Sequence, residues 1–227
     1  LGADIMMAFD ECAEPYDHGY SERAMNRTHR WAERCKQAKT RADQALFGIV
    51  QGGIFPELRE ESAAYIASLD FPGNAIGGLS VGETKEEMHA MLEIVNDILP
   101  ANKPRYLMGV GTPQDLVQCV GRGVDIFDCV LPTRNARNKT LYIFRRSPKS
   151  SDGLKGDFYD KLYMQDEKHR KDKRSVSEFC DCICCKNYSR AYLHHLFKIG
   201  DSLAARLATI HNLRFYSQLM ENLREAA

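Results

Sequence analysis

Residues 45–53 read ALFGIVQGG, an apolar run that ends at Val50 and is followed at once by a glutamine and two glycines. The same order, an apolar run and then a polar residue or a glycine, returns at four other places along the chain. Those runs are DIMMAF at 4–9, NAIGGLS at 74–80, RYLMGV at 105–110 and DIFDCVL at 125–131. Short runs of this kind are typical of strands buried on both faces of a parallel sheet. The sequence therefore predicts five such strands.

Stretches with helical spacing of apolar residues separate the runs. They cover residues 21–39, 56–69, 85–99 and 113–122, and several begin at Pro or Thr, as helices often do. Strands that alternate with helices predict a parallel sheet covered by helices. Two arrangements fit this alternation, an open doubly wound sheet and a closed eight-stranded barrel.

The residues that follow the apolar runs are polar or glycine. They are Asp10 with Glu11, Gln51 with Gly52 and Gly53, Gly82 with Glu83, Gly109 with Gly111, and Asp128. In a barrel these positions would meet at one rim, which is where barrel enzymes place their active sites. Five strand–helix units account for part of an eight-stranded barrel, so we expect further strands upstream of Leu1 in a longer protein.

The run VDIFDCVLPTR at 124–134 places one carboxylate, Asp128, at the end of the last predicted strand. The apolar residues before it predict a strand buried on both faces, and a charge at the end of such a strand costs free energy unless it is used or paired. Arg134 and Arg137 follow beyond Pro132. Two interpretations stay open, a carboxylate that acts on an anionic substrate and an aspartate that is hydrogen-bonded at a strand end.

Composition and charge narrow the classes of protein. The hydrophobic fraction of 44% is ordinary for a globular protein with a substantial core. No run approaches the ~20 apolar residues that span a bilayer, and no secretion signal begins the chain, so we expect a cytoplasmic protein with no membrane partner.

Residues 1–133 hold 12 basic and 20 acidic residues, whereas residues 134–180 hold 13 basic and 7 acidic residues. Such a basic segment fits a nucleic-acid-binding surface, and it fits a solvated mobile loop equally well.

A cluster of cysteines near the end of the chain predicts a metal site. Cys180, Cys182 and Cys185 form a CxCxxC run, and His211 follows later. Three thiolates and one imidazole are a common ligand set for structural zinc. Spacing alone leaves the set open, because other residues nearby have the same donor atoms, namely Cys184, His194 and His195. Disulfides are disfavoured in the cytosol, and free buried cysteines are the remaining alternative.

Several longer motifs identify a family. They are AFDEC at 8–12, GLSVGE at 78–83, YLMGVG at 106–111, FDCVLPTR at 127–134, and the CxCxxC run followed by NYSRAYLHHL at 187–196. The chain resembles the bacterial-type tRNA-guanine transglycosylases, also called queuine tRNA-ribosyltransferases, over its whole length. The resemblance implies an α/β fold, the C-terminal part of a (β/α)8 TIM barrel with about five βα units and an inserted zinc-binding subdomain. The implied domains are a barrel part at 1–133, a basic tRNA-contacting insertion at 134–179 and a zinc-binding subdomain with closing helices at 180–227.

The resemblance implies an activity. Enzymes of this family exchange the wobble guanine of tRNAs with GUN anticodons, those for aspartate, asparagine, histidine and tyrosine, for another base in queuosine biosynthesis. Asp128 resembles the nucleophile that forms a covalent aspartyl-ribose intermediate, and Asp10 resembles the residue that reads the base. The other implied base-binding residues are Cys12, Gln51, Gly78, Leu79, Glu83 and Met108. Cys12 and Val81 favour preQ1 over queuine as the incoming base.

The same resemblance implies binding partners, a metal cofactor and a catalytic residue outside this chain. Arg134 and Arg137 resemble contacts to the anticodon loop of tRNA, and Zn2+ is implied as a structural cofactor bound by Cys180, Cys182, Cys185 and His211. A homodimer is implied through a helix that carries Tyr188, Tyr192, His195 and Leu196. The family has a second aspartate in an upstream segment, so we expect this chain alone to be incomplete for catalysis.

Alternatives from other classes stay open beside this interpretation. One is a noncatalytic tRNA-binding subunit or an inactive fragment of such an enzyme. Another is a metal-dependent hydrolase that uses Asp10, Glu11 and Asp128 as ligands, although histidine ligands are missing from the strand ends.

Overall fold

The computed structural model describes residues 2–226 and divides into two compact units, one ending at Cys129 and the other beginning at Val130. The first unit contains a parallel sheet with strands β1 Ile5–Met7, β2 Ala45–Val50, β3 Gly73–Ile76, β4 Arg105–Leu107 and β5 Ile126–Phe127. Its helices are α1 His18–Ala38, α2 Pro56–Ser68, α3 Lys85–Ile98 and α4 Pro113–Val120. The strands lie in sequential order from β1 to β5. This arrangement confirms the α/β class and fits part of a TIM barrel.

Four of the strands are shorter than the apolar runs predicted, whereas β2 spans the whole of its run at 45–50. Strand β3 ends at Ile76 because two glycines follow, and Gly78 has a φ of +65° that an extended strand does not allow. Strand β5 is also less buried than predicted, since Ile126 and Phe127 are only partly buried whereas Val124 is buried. The reason is its place at the edge of the described sheet, where it pairs with β4 alone.

Local capping explains where the helices begin. The side chain of Asp17 accepts a hydrogen bond from the backbone N–H of Tyr20 at 2.8 Å, so α1 begins at His18 and not at Ser21 as predicted. Thr84 and Glu87 form a capping box at the start of α3. Aliphatic residues of the strands and of α2 and α3 form one core under these helices, including Val50, Ile66 and Leu92.

The second unit is built around a long helix and a hairpin. Its elements are α5 Leu131–Arg137, the antiparallel strands β6 Thr140–Phe144 and β7 Tyr159–Tyr163, a 3-10 turn at Glu167–His169, and the helices α6 Ile183–Asn187, α7 Arg190–Ile199 and α8 Ser202–Ala226. The buried side chain of Asn212 on α8 accepts a hydrogen bond from the N–H of Tyr142 and donates to the carbonyls of Pro132 and Thr140. One buried amide thus connects α5, β6 and α8.

The spacing of apolar residues predicts two helices in this unit, at 188–207 and 213–223, and these bounds are wrong. Helix α7 ends at Ile199, before Gly200 with its φ of +74°, and α8 then runs without a break through His211. The glycine is the residue that can take the left-handed conformation at a helix end. Strand β7 was not predicted, because its sequence, YDKLY, lies in a charged stretch without clear periodicity. None of the helices within residues 2–226 is long and apolar enough to cross a membrane.

Candidate active site and metal centre

The carboxyl ends of the parallel strands carry most of the predicted site residues. Asp10 follows β1 and Gln51 follows β2. The side-chain Nε2 of Gln51 donates a hydrogen bond of 2.7 Å to Oδ2 of Asp10. Gln51 is buried, and its backbone N–H donates to Oγ of Ser62 at 3.1 Å. The structure therefore brings Asp10 and Gln51 together, with both side chains fixed by hydrogen bonds.

Two glycines after β3 lie close to the side-chain amide of Gln51. A Cβ atom added to Gly77 would lie 2.6 Å from Nε2 of Gln51, and one added to Gly78 would lie 2.3 Å from Oε1. Gly78 also has a φ of +65°, where side chains are strained. Gly78 thus requires glycine, whereas a side chain at Gly77 would displace the amide of Gln51. The backbone of Gly78 lies directly beside Gln51.

The turn that follows Gly78 is held by a carboxylate. The backbone N–H groups of Ser80 and Val81 both donate to the side chain of Glu83, the latter at 2.9 Å. Ser80 adopts a φ of +62° within this turn. Leu79 is buried, whereas Val81 is exposed. Glu83 therefore fixes the backbone between Leu79 and Val81.

Cys12 belongs to the same neighbourhood. Its residue surface is exposed, yet partial burial of the thiol raises its pKa, and the nearby carboxylates of Asp10 and Glu83 raise it further. Arg59 opposes this shift. The raised pKa favours the neutral thiol over the thiolate.

Asp128 lies beyond β5 and is anchored through one oxygen. Its Oδ1 accepts a hydrogen bond of 2.7 Å from the phenol of Tyr106 and one of 2.8 Å from the backbone N–H of Gly109. Burial and this hydrogen bond to a carboxylate raise the pKa of Tyr106, so its proton stays on the phenol. Met108, between these two donors in sequence, is partly buried, and its N–H donates to the carbonyl of Ile76. The carboxylate of Asp128 is thus an exposed group in a fixed orientation.

The predicted base-site residues fall into two hydrogen-bonded sets at the carboxyl edge of the sheet. One contains Asp10 and Gln51 with the glycines beside them, and the other contains Asp128 with Tyr106 and Gly109. Among residues 2–226, no hydrogen bond joins the first set to the second. Their relation depends on the sheet, whose parallel strands end at the same edge.

The metal-ligand candidates are gathered in the second unit. The Sγ atoms of Cys180, Cys182 and Cys185 and a ring nitrogen of His211 all lie within 4.8 Å of one another. Nδ1 of His211 faces the sulfurs, at 3.2 Å from Sγ of Cys185. The other nitrogen, Nε2, lies 2.7 Å from the carbonyl of Tyr142 and donates its proton there. In the neutral ring the free lone pair is then on Nδ1, which is the usual arrangement of a metal-binding histidine.

Electrostatics within the cluster support metal binding. Hydrogen bonds from Cys180 and then from Cys184 and Cys185 lower the pKa of Cys182, so that a thiolate is favoured at this position. Hydrogen bonds with Cys180 and Cys182, together with burial, raise the pKa of Cys185. Thiolate sulfur and imidazole nitrogen in a buried tetrad are a donor set that could hold a metal ion.

The competing ligands are placed elsewhere. Cys184 is fully buried but does not belong to the tetrad. His194 is buried on α7 with Nδ1 at 2.8 Å from the carbonyl of Met164, and His195 is exposed. Within residues 2–226, Asp10, Glu11 and Asp128 do not form a metal-binding group either. Glu11 is instead paired with Arg27.

The two predicted tRNA contacts lie on α5. Arg134 and Arg137 are three residues apart on this helix, and both are exposed, while Pro132 and Ala136 are buried. Residues spaced by three share one side of a helix. The two guanidinium groups therefore share a solvent-facing side.

The sequence of the chain matches a known protein family and several of its members. The profile of the queuine tRNA-ribosyltransferase family matches residues 1–227. The chain belongs to this family. It is 56% identical over its full length to the queuine tRNA-ribosyltransferase of Herpetosiphon aurantiacus, 52% to that of Desulforamulus reducens and 51% to that of Bacillus subtilis. It covers 54%, 58% and 56% of these relatives, so the chain spans about half of their length.

Sequence reasoning missed two residues that hold the family's motifs in place. Tyr106 lies within the YLMGVG motif, but its bond to Asp128 gave no sequence signal. Arg59 on α2 is fully buried and donates to carbonyls of two loops. Helical spacing could have found it, since Arg59 shares a helix face with the buried residues Ser62 and Ile66.

Proposed function

We propose that the complete protein is a tRNA-guanine transglycosylase. It would exchange the wobble guanine of tRNAs with GUN anticodons for preQ1, through a covalent link between Asp128 and the ribose. The family membership supports the reaction class. One observation supports the chemistry most directly: Asp128 is held through Oδ1 by two donors.

That anchoring suits a nucleophile. Among the described residues, both donors to Asp128 bond Oδ1, so Oδ2 is the oxygen that can attack the anomeric carbon of the ribose. Attack by one carboxylate oxygen and departure of guanine give a glycosyl-enzyme ester, and attack of the incoming base on the same carbon releases the carboxylate. Two displacements retain the configuration at that carbon.

Base recognition uses the first set of residues. Asp10 would accept hydrogen bonds from the ring and amino N–H groups of guanine, and Gln51 together with the N–H of Gly78 would donate to its carbonyl oxygen. The hydrogen bond between Gln51 and Asp10 holds both side chains in place before a base arrives. Met108 would form a wall of the pocket.

The turn held by Glu83 would receive the substituent of the incoming base. Leu79 and Ser80 present their backbone here, and Val81 and Cys12 are exposed beside it. An isopropyl group at Val81 occupies space that the bulky cyclopentenediol of queuine needs, whereas the aminomethyl group of preQ1 is small. We therefore propose preQ1 as the physiological base.

Zinc is the metal that the tetrad fits best. Three thiolates and one imidazole form a closed tetrahedral set without an open position, which is typical of structural zinc. Bound at Cys180, Cys182, Cys185 and His211, the ion would connect the loop before α6 to helix α8.

The second unit would contact the tRNA. Arg134 and Arg137 would bind phosphates of the anticodon loop, and residues 138–179 would extend that basic surface. This assignment retains the proposed division into a barrel part at 1–133, an insertion at 134–179 and a zinc subdomain at 180–227. We also propose that the enzyme is cytoplasmic.

A homodimer would form through the helix after the cysteines. The rings of Tyr188 and Tyr192 stack with centroids 5.2 Å apart, and Tyr192 and His195 are exposed. Leu196 is buried in the core of the second unit and does not contribute to this surface.

The test is incorporation of radiolabelled guanine into unmodified tRNA by the complete gene product, with Asp128→Asn beside it. The amide keeps the shape of the side chain but is a poor nucleophile. Incorporation by the wild type that disappears in Asp128→Asn would support base exchange through Asp128. A folded wild-type protein that binds the tRNA without incorporation would instead indicate a noncatalytic tRNA-binding subunit.

A further inference from the structure

Arg59 is a fully buried cation whose hydrogen bonds all end on backbone carbonyls. Its Nε donates to the carbonyl of Gly53 at 2.8 Å, and its terminal nitrogens donate to those of Gly77 at 2.8 Å and Gly78 at 2.9 Å, with a longer bond of 3.4 Å to Val50. One guanidinium from α2 therefore connects the loop after β2 with the loop after β3. These are the loops that carry Gln51 and Gly78.

A charge in this position needs an explanation. Burial of a cation costs free energy, and burial lowers the pKa of Arg59 to about 10, so the side chain is still charged at neutral pH. A neutral side chain could cross-link the loops with less desolvation. The free-energy cost of burying the positive charge therefore suggests that the charge itself has a function.

The geometry of one peptide unit suggests that role. The carbonyl of Gly77 and the N–H of Gly78 belong to the same peptide bond, and no peptide bond within residues 2–226 is cis. In a trans peptide the C=O and N–H point in opposite directions. Because Arg59 holds the carbonyl of Gly77, it turns the N–H of Gly78 away from itself. A cation on the carbonyl also polarises the peptide and makes its N–H a stronger donor.

We propose that Arg59 is a positioning residue that acts through the peptide between Gly77 and Gly78 to stabilise guanine as it leaves. This inference rests on the proposed function. In the first displacement a lone pair of Asp128 forms the bond to the anomeric carbon, and the electron pair of the carbon–N9 bond leaves with guanine as its anion, which later takes a proton from water. The negative charge spreads to the base carbonyl oxygen, the acceptor of the Gly78 N–H. A donor strengthened in advance stabilises that charge.

The test compares leaving bases with and without that oxygen. Anticodon stem-loop RNAs carrying guanine, hypoxanthine or 2-aminopurine at the exchanged position are mixed with the complete gene product under single-turnover conditions. Guanine and hypoxanthine have the carbonyl oxygen, and 2-aminopurine lacks it. Wild type is compared with Arg59→Lys and Arg59→Gln, and cleavage of the original base is followed.

Arg105→Lys is the matched control. Arg105 also donates to backbone carbonyls, those of Asn96 at 2.9 Å and Leu99 at 2.5 Å, but it lies at the beginning of β4, away from the carboxyl edge. Loss of this cross-link should lower the thermal stability and leave cleavage of all three bases unchanged below the unfolding temperature.

We expect Arg59→Lys and Arg59→Gln to slow cleavage of guanine and hypoxanthine by about tenfold or more, and that of 2-aminopurine by less than about threefold. Equal losses for all three bases would overturn the proposal, because they would show a general structural role. Unchanged cleavage of guanine would overturn it too, as would loss of cooperative unfolding in both variants, which would assign Arg59 to the fold alone. If the wild type fails to exchange guanine at all, the proposed function fails instead.

Discussion

The phenol of Tyr106 on β4 donates a 2.7 Å hydrogen bond to Oδ1 of Asp128, which follows the neighbouring strand β5. Register explains the contact. Tyr106 pairs with Ile126, and Leu107 pairs with Phe127, so Asp128 follows directly beyond the last residue of β5. The orientation of the candidate nucleophile is therefore set by the pairing of β4 with β5.

Tyr106→Phe should slow base exchange. The change removes one of two donors to Oδ1 and leaves the carboxylate free to rotate. A hydrogen bond to a charged group contributes about 1.5–3 kcal/mol, so we expect a fall in the single-turnover rate of roughly tenfold to a hundredfold. Tyr65→Phe is the control, because it removes a phenol of α2 that donates to the carboxylate of Glu33 at 2.6 Å, and it should exchange base at the wild-type rate. A wild-type rate for Tyr106→Phe would mean that the N–H of Gly109 orients Asp128 without help.

Gly78→Ala should weaken binding of the base. An added Cβ would lie 2.3 Å from Oε1 of Gln51 at a φ of +65°, so the loop or Gln51 must move. Gly156→Ala is the control. Gly156 has a φ of +57°, so an alanine there strains the backbone in the same way, but nothing lies within 4 Å of the added Cβ and no neighbouring group has to move. We expect both variants to lose about 1 kcal/mol of stability from backbone strain. The KM for guanine should rise only in Gly78→Ala, and an equal rise in both would contradict the proposed role of this loop.

The strands were predictable from sequence, and the contacts between them were not. Apolar runs followed by glycine or a polar residue reveal buried strands of a parallel sheet, and each of the five runs overlaps one. Strand β7 and the extent of α8 were missed because their formation depends on tertiary partners. Leu162 of β7 pairs with Leu141 across the hairpin, but it stands in a charged stretch without clear alternation, whereas LYIF at 141–144 predicts a strand from sequence.

In the candidate site, too, several residues were predictable from sequence and the contacts between them were not. Asp10, Gln51 and Asp128 could be found because each follows an apolar run, and the CxCxxC run predicted a metal site although its spacing left the ligand set open. Helical spacing could place Arg59 on the buried face of α2, but it could not assign a role to the side chain. Its role depends on carbonyls of Gly53 and Gly77 that only the folded chain brings to it.

Metal content should distinguish the ligands from the neighbouring cysteine. His211→Ala removes the imidazole of the tetrad and leaves three thiolates crowded together. We expect loss of bound zinc and of several kcal/mol of stability, on the order of 3 or more, because metal binding is coupled to folding. Cys184→Ala removes a buried thiol outside the tetrad and should retain one zinc per chain with a loss of about 1–2 kcal/mol from packing. Elemental analysis and thermal unfolding of the purified proteins give both quantities. Zinc loss in Cys184→Ala would reassign the ligand set.

Lys139→Gly should stabilise the second unit. Lys139 lies between α5 and β6 with a φ of +65°, and its backbone bonds Ala136 and Met164. The left-handed conformation costs a non-glycine residue about 1–2 kcal/mol, whereas glycine loses about 0.5–1 kcal/mol through the entropy of the unfolded chain. The net gain in the free energy of unfolding is about 0.5–1 kcal/mol, measurable by urea denaturation. Asn138→Gly, at an ordinary φ of −88°, should lower the stability instead. A loss in Lys139→Gly would show that the lysine side chain stabilises this turn.

His29 should make the stability of the protein depend on pH. Its buried ring lies 3.0 Å from Oγ of Ser62 and stacks on Tyr65, and burial lowers its pKa from 6.5 to about 4, with Glu33 opposing the shift in part. As pH falls from 6.5 to 4, the unfolded chain binds a proton that the folded chain does not, so stability is lost on acidification. His29→Gln cannot titrate here. We therefore expect the stability difference between wild type and His29→Gln to shift by about 2 kcal/mol against the wild type from pH 7 to pH 5. Urea denaturation of both proteins at the two pH values measures this shift. A difference that stays constant would show that His29 binds its proton equally well in the folded and unfolded chains.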